Sequence, residues 1–403
     1  MLSGLLALTA APVAVAAPPV TTPPTQPSPC AYRELPPPPV DTSERPAPGQ
    51  QEPRPLPVPD KPLGGDRMSD CGVVLPPKAL NPPENNAHSW VIQDLDSGDV
   101  LAAKDPHARQ RPASLIKTLL ALVVVKELKP DQVVTVTAED ASQECTCVGI
   151  VAGGRYTVDQ LLHGLLMHSG NDVAHAFATA LGGVPAAVQK MNKLAAAIGA
   201  NDTRAATPSG LDGPGMSTSA YDLSLIFNQA MKQPEFAKAV GTRQFEFPGF
   251  GDKPAFPIYN DNKLLSQYPG FLGGKTGFTD DARHTYVGGA AQNGRKLAVV
   301  MLRAEQQPAR VSDQAAKLLD YGFALAKAGT KPVGQIVRVP VPEPALAGAG
   351  PDLNSGDNAN TGTGAGADDP FGTTGWILTL VVALIIGAGF VIGHRRKQAA
   401  ERS

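Results

Sequence analysis

The chain has 403 residues, a formal net charge of -2 and 18% charged residues. That near-balance, with no lysine- or arginine-rich patch interleaved with aromatics, excludes nucleic acid as a partner. Gly 41 and Pro 40, with more than half of the prolines before residue 84, mean that the length overstates the folded part.

At the start, the apolar run Leu5-Leu6-Ala7-Leu8 leads to Ala14-Val15-Ala16, a small-x-small cleavage pattern, so residues 1–16 are expected to be a signal peptide. Residues 17–83 hold few apolar side chains and the consecutive prolines Pro36 to Pro39, and are expected to form an extended spacer rather than a fold. The cysteines Cys30, Cys71, Cys145 and Cys147 suit an exported protein. Three pairings are open; Cys30 with Cys71 is preferred because it would staple the proline-rich segment. Cys145 and Cys147 lack two further ligands at sensible spacing, so no metal site is expected there.

Ordered structure is expected over residues 84–330. Strands at 90–95 and 100–103 flank the turn Asp96-Ser97-Gly98-Asp99 and read as a hairpin. The apolar run from Leu119 to Val125 reads as a buried helix, opened by Pro112 and carrying Ser114 in its first turn. A short strand at 133–137 precedes a helix at 157–168 that begins with the capping box Thr157-x-x-Gln160. Helices follow at 172–181, 185–198 and 218–232, the last behind a run of turn residues from Thr207 to Gly215. From about Arg243 the period changes to that of strands, at 271–279, 285–291 and 295–303, with Asn293-Gly294 as a tight turn joining the last two. A helix at 309–326 closes this region. Strands at both ends with helices between give an α+β fold: one antiparallel sheet flanked by helices, beside a helical lobe from the middle of the chain.

Residues 331–370 return to Pro, Gly, Ala and Asp and read as a flexible linker. Residues 371–393 carry no charge, and are long enough to cross a bilayer core of about 30 Å as a transmembrane helix. The tail 394–403 opens with His394-Arg395-Arg396-Lys397, which the positive-inside rule places in the cytoplasm. The expected topology is a single pass in the cell membrane with the ordered region outside.

Three short patterns each occur once: Ser114-x-x-Lys117, Ser169-Gly170-Asn171 and Lys275-Thr276-Gly277. Three residues apart at a helix start, a hydroxyl and an amine share a face. A serine is a poor nucleophile until a base takes its proton, and a lysine does so only when neutral, a state favoured by burial, the helix dipole and any second cation. Attack on an amide carbonyl also needs a proton path to the leaving amine, for which Ser169 is suited, with Asn171 beside it. The developing oxyanion needs donors, and the backbone N–H groups of Ser114 and Phe278 are the candidates. Gly277 would let a substrate lie close to its strand, while Lys275 and the Thr276 hydroxyl suit a terminal carboxylate; near Lys117, Lys275 would also lower its pKa.

Rival readings fare worse. Gly274-Lys275-Thr276 resembles the end of a phosphate loop, but Pro269 stands where a glycine is required and strand residues follow. His163, His168 and His175 are not spaced as zinc ligands on one helix face. No Gly-x-Ser-x-Gly elbow is present. Asp212 reads as a turn residue that holds its loop.

The three motifs, with Asp105-Pro106-His107, Arg111-Pro112-Ala113-Ser114-Leu115-Ile116-Lys117, His163-Gly164-Leu165-Leu166-Met167-His168-Ser169-Gly170-Asn171-Asp172, Thr207-Pro208-Ser209-Gly210-Leu211-Asp212 and Gly273-Gly274-Lys275-Thr276-Gly277-Phe278-Thr279-Asp280, resemble the serine D-alanyl-D-alanine carboxypeptidases. These are the low-molecular-mass penicillin-binding proteins, and the likeness is greatest to exported actinobacterial forms, over about residues 87–326. The resemblance implies a β-lactamase/transpeptidase-like fold and a serine peptidase without metal or organic cofactor. Ser114 would be acylated by the penultimate D-alanine of a peptidoglycan stem peptide, releasing the terminal D-alanine, and water would then cleave the acyl-enzyme. β-Lactams would acylate Ser114 as substrate mimics. Ser-Gly-Asn in the middle motif favours a peptidase over the commonest serine β-lactamases, which carry Ser-Asp-Asn. The chain departs from many relatives in lacking room for a β-rich domain after the catalytic one, and in a spanning helix where they have an amphipathic anchor. The alternatives are a β-lactamase or transpeptidase using the same residues, or an inactive wall-binding module, against which intact Ser114, Lys117 and Lys275 argue.

Overall fold

The strand patterns at the two ends of the ordered sequence converge on one sheet. The computed structural model describes residues 30–337, and the signal, transmembrane and tail expectations at 1–16, 371–393 and 394–403 lie outside them. The strands of the sheet are β1 (Val73–Val74), β2 (Ser89–Asp94) and β3 (Asp99–Lys104) from the early chain. Between them and the late strands come α1 (Lys117–Glu127), the pair β4 (Val133–Thr135) and β5 (Arg155–Thr157) around α2 (Ala138–Ala141), then α3 (Val158–Met167), α4 (Asn171–Ala180), α5 (Val184–Ile198), α6 (Ala220–Ala230) and α7 (Pro234–Gly241). The hairpin β6 (Gln244–Phe247) and β7 (Phe256–Tyr259) and the single turn α8 (Leu264–Gln267) lead into β8 (Phe271–Thr279), β9 (Arg283–Gln292) and β10 (Arg295–Ala304). α9 (Val311–Lys327) and β11 (Gly334–Gln335) complete the described chain.

The main sheet runs β1-β3-β2-β10-β9-β8, with β11 also on β3, and every pairing is antiparallel. Two local features set its register. Asp94 accepts the backbone N–H of Asp96 and Ser97, each at 3.0 Å, closing the first hairpin. Asn293 and Gly294 both take positive φ, 51° and 76°, as the turn between β9 and β10 requires. Because β8 ends the strand order, one edge of the Lys275-Thr276-Gly277 strand faces no other strand among the described residues.

Alternate residues of β2 enter two cores: Trp90 and Ile92 pack with Leu318 and Leu319 of α9, whereas Val91 packs with the helical lobe. Residues Lys117 to Val124 of α1 are all buried, so this helix is the lobe's central post rather than an amphipathic cover. Removing such surface from water is worth about 1.5–3 kcal/mol for each large side chain. The capping box at Thr157 and Gln160 closes as the sequence indicates, and a second one at Thr137 and Asp140 starts α2.

Two expectations need correction. Residues 30–83 are largely without helix or sheet, but over the described part they are not a free spacer. A proline-rich chain has many carbonyls and few N–H groups, so it cannot build a ladder; two buried arginines bind it instead. Arg109 donates to the carbonyls of Glu34 and Leu56, each at 2.6 Å, and of Pro57 at 2.9 Å. Arg111 donates to Pro37 O at 2.7 Å and to both carboxylate oxygens of Glu44. Cys30 and Cys71 form a disulfide, as preferred, and Cys145 and Cys147 form the other. At the far end, Gly334 and Gln335 pair with β3, so the first residues assigned to the linker belong to the sheet.

Candidate active site

Ser114 lies not in the first turn of an α-helix but in a 3-10 turn, Ala113–Ile116, that feeds directly into α1 at Lys117. Ala113 enters that turn with φ 47°, a region costly for a residue with a β-carbon. The surroundings impose it: Thr285 Oγ1 donates to Pro112 O at 2.9 Å, and Gly210 presses from the other side. A β-carbon on Gly210 would stand 2.0 Å from Ala113 O, and its φ of 91° also suits glycine.

Lys117 is fully buried, and its Nζ is 2.9 Å from Ser114 Oγ, 2.7 Å from Asn171 Oδ1 and 2.6 Å from Ser209 O. The Asn171 amide is oriented by its own Nδ2, which donates to Glu144 O at 2.8 Å, so the oxygen faces the lysine. Burial, followed by the positive charge of Lys275, holds the Lys117 amine well below its ordinary pKa, against the opposing pull of Asp261 and Asp172. A neutral amine has two N–H groups and one lone pair. Asn171 Oδ1 and Ser209 O can only accept, so they take the two N–H groups, and the lone pair is left for the Ser114 hydroxyl. The geometry therefore points the serine proton at a base.

Ser169, with φ 61° and only 7% exposed, lines the same cleft as Ser114 and Asn171. The cleft has a volume of about 720 Å³ and is also walled by Gly277, Phe278 and Thr276 of β8, by Asp212, and by Asp41 and Ser43 of the N-terminal segment. The three motifs thus meet in one place. Lys275, expected to suit a terminal carboxylate and to lower the Lys117 pKa if near it, is fully buried in β8, donates to Thr276 O at 2.7 Å, and has its nitrogen 3.9 Å from Asp261. Burial lowers its pKa too, opposed by Asp261. The Thr276 hydroxyl donates to Asp261 at 2.8 Å.

Asp212 does hold its loop, accepting from Thr279 Oγ1 at 3.0 Å and so tying residues 207–215 to β8. Burial, first, pushes its pKa up to about 6. Sequence reasoning missed Ser209, whose carbonyl fixes the lysine, and the contribution of Asp41 and Ser43. The string Thr207-Pro208-Ser209-Gly210 carried the first as a rigid turn motif; a proline-rich stretch gives no signal for the second.

A serine beside a buried lysine, under an antiparallel edge strand and a helical lobe, defines the active-serine acyl-transfer class. The chain belongs to the D-alanyl-D-alanine carboxypeptidase family, whose sequence profile matches residues 77–306. It is 46% identical over 256 residues to D-alanyl-D-alanine carboxypeptidase DacB2 of Mycobacterium tuberculosis, covering 62% of this chain and 87% of that one. Against D-alanyl-D-alanine carboxypeptidase DacF of Bacillus subtilis it is 30% identical over 246 residues, covering 60% and 63%. Among solved structures, a D-alanyl-D-alanine carboxypeptidase from Mycobacterium tuberculosis is similar with a TM-score of 0.61 at 43% identity, over 66% of this chain and 99% of that chain. The Streptomyces K15 DD-transpeptidase is similar with a TM-score of 0.58 at 28% identity, over 61% and 100%. The fold is that of the penicillin-binding DD-peptidases.

Proposed function

We propose that the protein is a serine-type D-alanyl-D-alanine carboxypeptidase that trims peptidoglycan stem peptides, with Ser114 as nucleophile and Lys117 as general base. The observation that carries the assignment is the buried Lys117 amine 2.9 Å from Ser114 Oγ with its two other acceptors already fixed. Lys117 takes the serine proton as Ser114 attacks the penultimate D-alanine carbonyl. The backbone N–H groups of Ser114 and Phe278 stabilise the oxyanion, and Ser169 relays the proton to the departing D-alanine. The Thr276 hydroxyl meets the substrate carboxylate once it turns from Asp261, while Lys275 supplies positive charge from beneath the strand and lowers the pKa of Lys117. Gly277 and the open edge of β8 receive the peptide backbone. Water then cleaves the acyl-enzyme. β-Lactams acylate the same serine.

The uncharged span 371–393 and the basic residues after it support a single-pass anchor in the cell membrane, with the catalytic domain on the extracytoplasmic side. Comparing D-alanine release from a diacylated peptide ending in D-Ala-D-Ala with turnover of penicillin tests the assignment. Rapid release with a long-lived penicilloyl adduct supports it; rapid penicillin hydrolysis without D-alanine release rejects it in favour of a β-lactamase.

A further inference from the structure

The Cys145–Cys147 disulfide lies at the rim of the catalytic cleft, with Cys145 exposed and lining it. Its short ring closes on the loop that positions Asn171. The residue before the ring, Glu144, offers the carbonyl that accepts Asn171 Nδ2 at 2.8 Å. The residue inside the ring, Thr146, offers the carbonyl that accepts the Asn171 backbone N–H at 2.7 Å. Just after the ring, the Asp172 carboxylate accepts the backbone N–H groups of Val148, Gly149 and Ile150 at 3.0, 2.8 and 3.2 Å. The loop is therefore anchored on its C-terminal side by a buried carboxylate, and over 144–147 by the disulfide.

We infer that the Cys145–Cys147 disulfide is a thiol–disulfide exchange site through which a dithiol reductant turns down acylation of Ser114, by releasing the carbonyls that orient Asn171. The inference rests on the proposed function, because it acts through Lys117. A thiolate of the reductant attacks the exposed Cys145 Sγ, the S–S bond breaks, and Cys147 leaves as a thiolate that takes up a proton. The second thiol of the reductant then attacks the mixed disulfide, freeing Cys145 as a thiol and leaving the reductant as a cyclic disulfide; two electrons and two protons pass to the protein. With the ring open, the 144–147 backbone keeps its hydrogen bonds from Asn171 but loses the covalent tie that holds their acceptors in place, so the Asn171 amide is freed to part from Glu144 O and turn over. An amide turned over presents an N–H to the lysine lone pair, in competition with the Ser114 hydroxyl.

The test uses the full-length protein and dithiothreitol as the probe. Acylation by a fluorescent penicillin is timed along a reductant series, and the cysteines opened at each point are identified by alkylation and mass spectrometry, which separates Cys145 and Cys147 from Cys30 and Cys71. The expected result is a fall of about tenfold or more in acylation rate, the scale for a misplaced catalytic group, that tracks opening of Cys145 and Cys147 and reverses on reoxidation. A Cys145→Ser/Cys147→Ser variant should acylate slowly and ignore the reductant, while a Cys30→Ser/Cys71→Ser variant should stay sensitive. An unchanged rate in wild-type protein whose Cys145 and Cys147 are both alkylated overturns the inference, whether or not either variant folds. Failure of the oxidised protein to acylate at all rejects the functional assignment instead.

Discussion

A β-carbon on Gly277 would stand 2.9 Å from the backbone nitrogen of Ser114, so the motif strand and the nucleophile's turn are in backbone contact. The same atom would meet Thr285 Oγ1 at 2.5 Å, and Thr285 holds Pro112 just before the turn. Even a methyl group at 277 must therefore move the Ser114 N–H, one of the two donors proposed for the oxyanion. Gly277→Ala is expected to lower acylation about 100-fold, the scale for losing one such donor. Stopped-flow acylation with a chromogenic cephalosporin measures it. A rate within threefold of wild type would show that the strand does not set the donor.

With Lys117 as the proposed base, acylation needs that amine neutral, so its rate should rise with pH through the lowered pKa of the amine. Lys275 contributes to the lowering as a like charge, second to burial. Lys275→Gln removes it, the Lys117 pKa moves up, and the acid limb of the profile moves to higher pH. At neutral pH the variant should be slower by about tenfold or more, and faster as pH increases. The pH profile of penicillin acylation decides; an unmoved acid limb would show that the two amines are not coupled.

Asp172 is 1% exposed and satisfies three backbone N–H groups of the loop beside Asn171. Asp172→Ala leaves the N–H groups of the buried Val148 and Ile150 without their acceptor, at a cost of about 2–4 kcal/mol, and loosens the loop. Denaturant unfolding should show the loss. Hydrogen exchange should rise at residues 148–150 before the rest of the lobe.

The Arg111 side chain is 2% exposed, salt-bridged to Glu44 and 4.0 Å from Asp281. Arg111→Ala is expected to cost about 3 kcal/mol or more, because it takes the cation from a part-buried cluster of three carboxylates, Glu44, Asp212 and Asp281. It should also free the N-terminal segment: limited proteolysis at residues 35–50 should become fast in the variant and remain slow in the wild type.

Asp212 titrates at about 6 in the folded chain, above its ordinary 3.8. Between those pH values the folded state holds more protons than the unfolded one, so the contribution of Asp212 to stability is present below about pH 4 and is lost as pH rises through 6. Asp212→Asn keeps the acceptor for Thr279 and removes that loss. Since the group is part-exposed, the gain is small: a Tm higher by about 2 °C at pH 7.5, vanishing near pH 4. Thermal scans at the two pH values check it.

The sheet and most helices of the lobe were legible because their signals are local: alternation in β2 and β10, the cap at Thr157, the Asn293-Gly294 turn. The helix at 234–241 was not, being short and entered through a proline after another helix end. Ser114, Lys117 and Asn171 could be placed together only through the joint order of three motifs, since no single spacing brings residues 54 apart in the chain to 2.7 Å. The burial of Lys275 was invisible, because a strand lysine reads as solvated until the Asp261 loop is seen beside it. The docking of the proline-rich segment was invisible for a related reason. Its partners are guanidinium groups of Arg109 and Arg111, more than 50 residues away, answering carbonyls that leave no trace in composition.

All of the proposed chemistry passes through acylation of Ser114. Intact-mass spectrometry of the purified protein after brief exposure to penicillin, followed by peptide mapping, tests it most directly. One adduct per chain is expected on the peptide containing Ser114 and none on a folded Ser114→Ala variant. An adduct that persists in that variant, or a folded wild-type chain that takes up no penicillin, would contradict it.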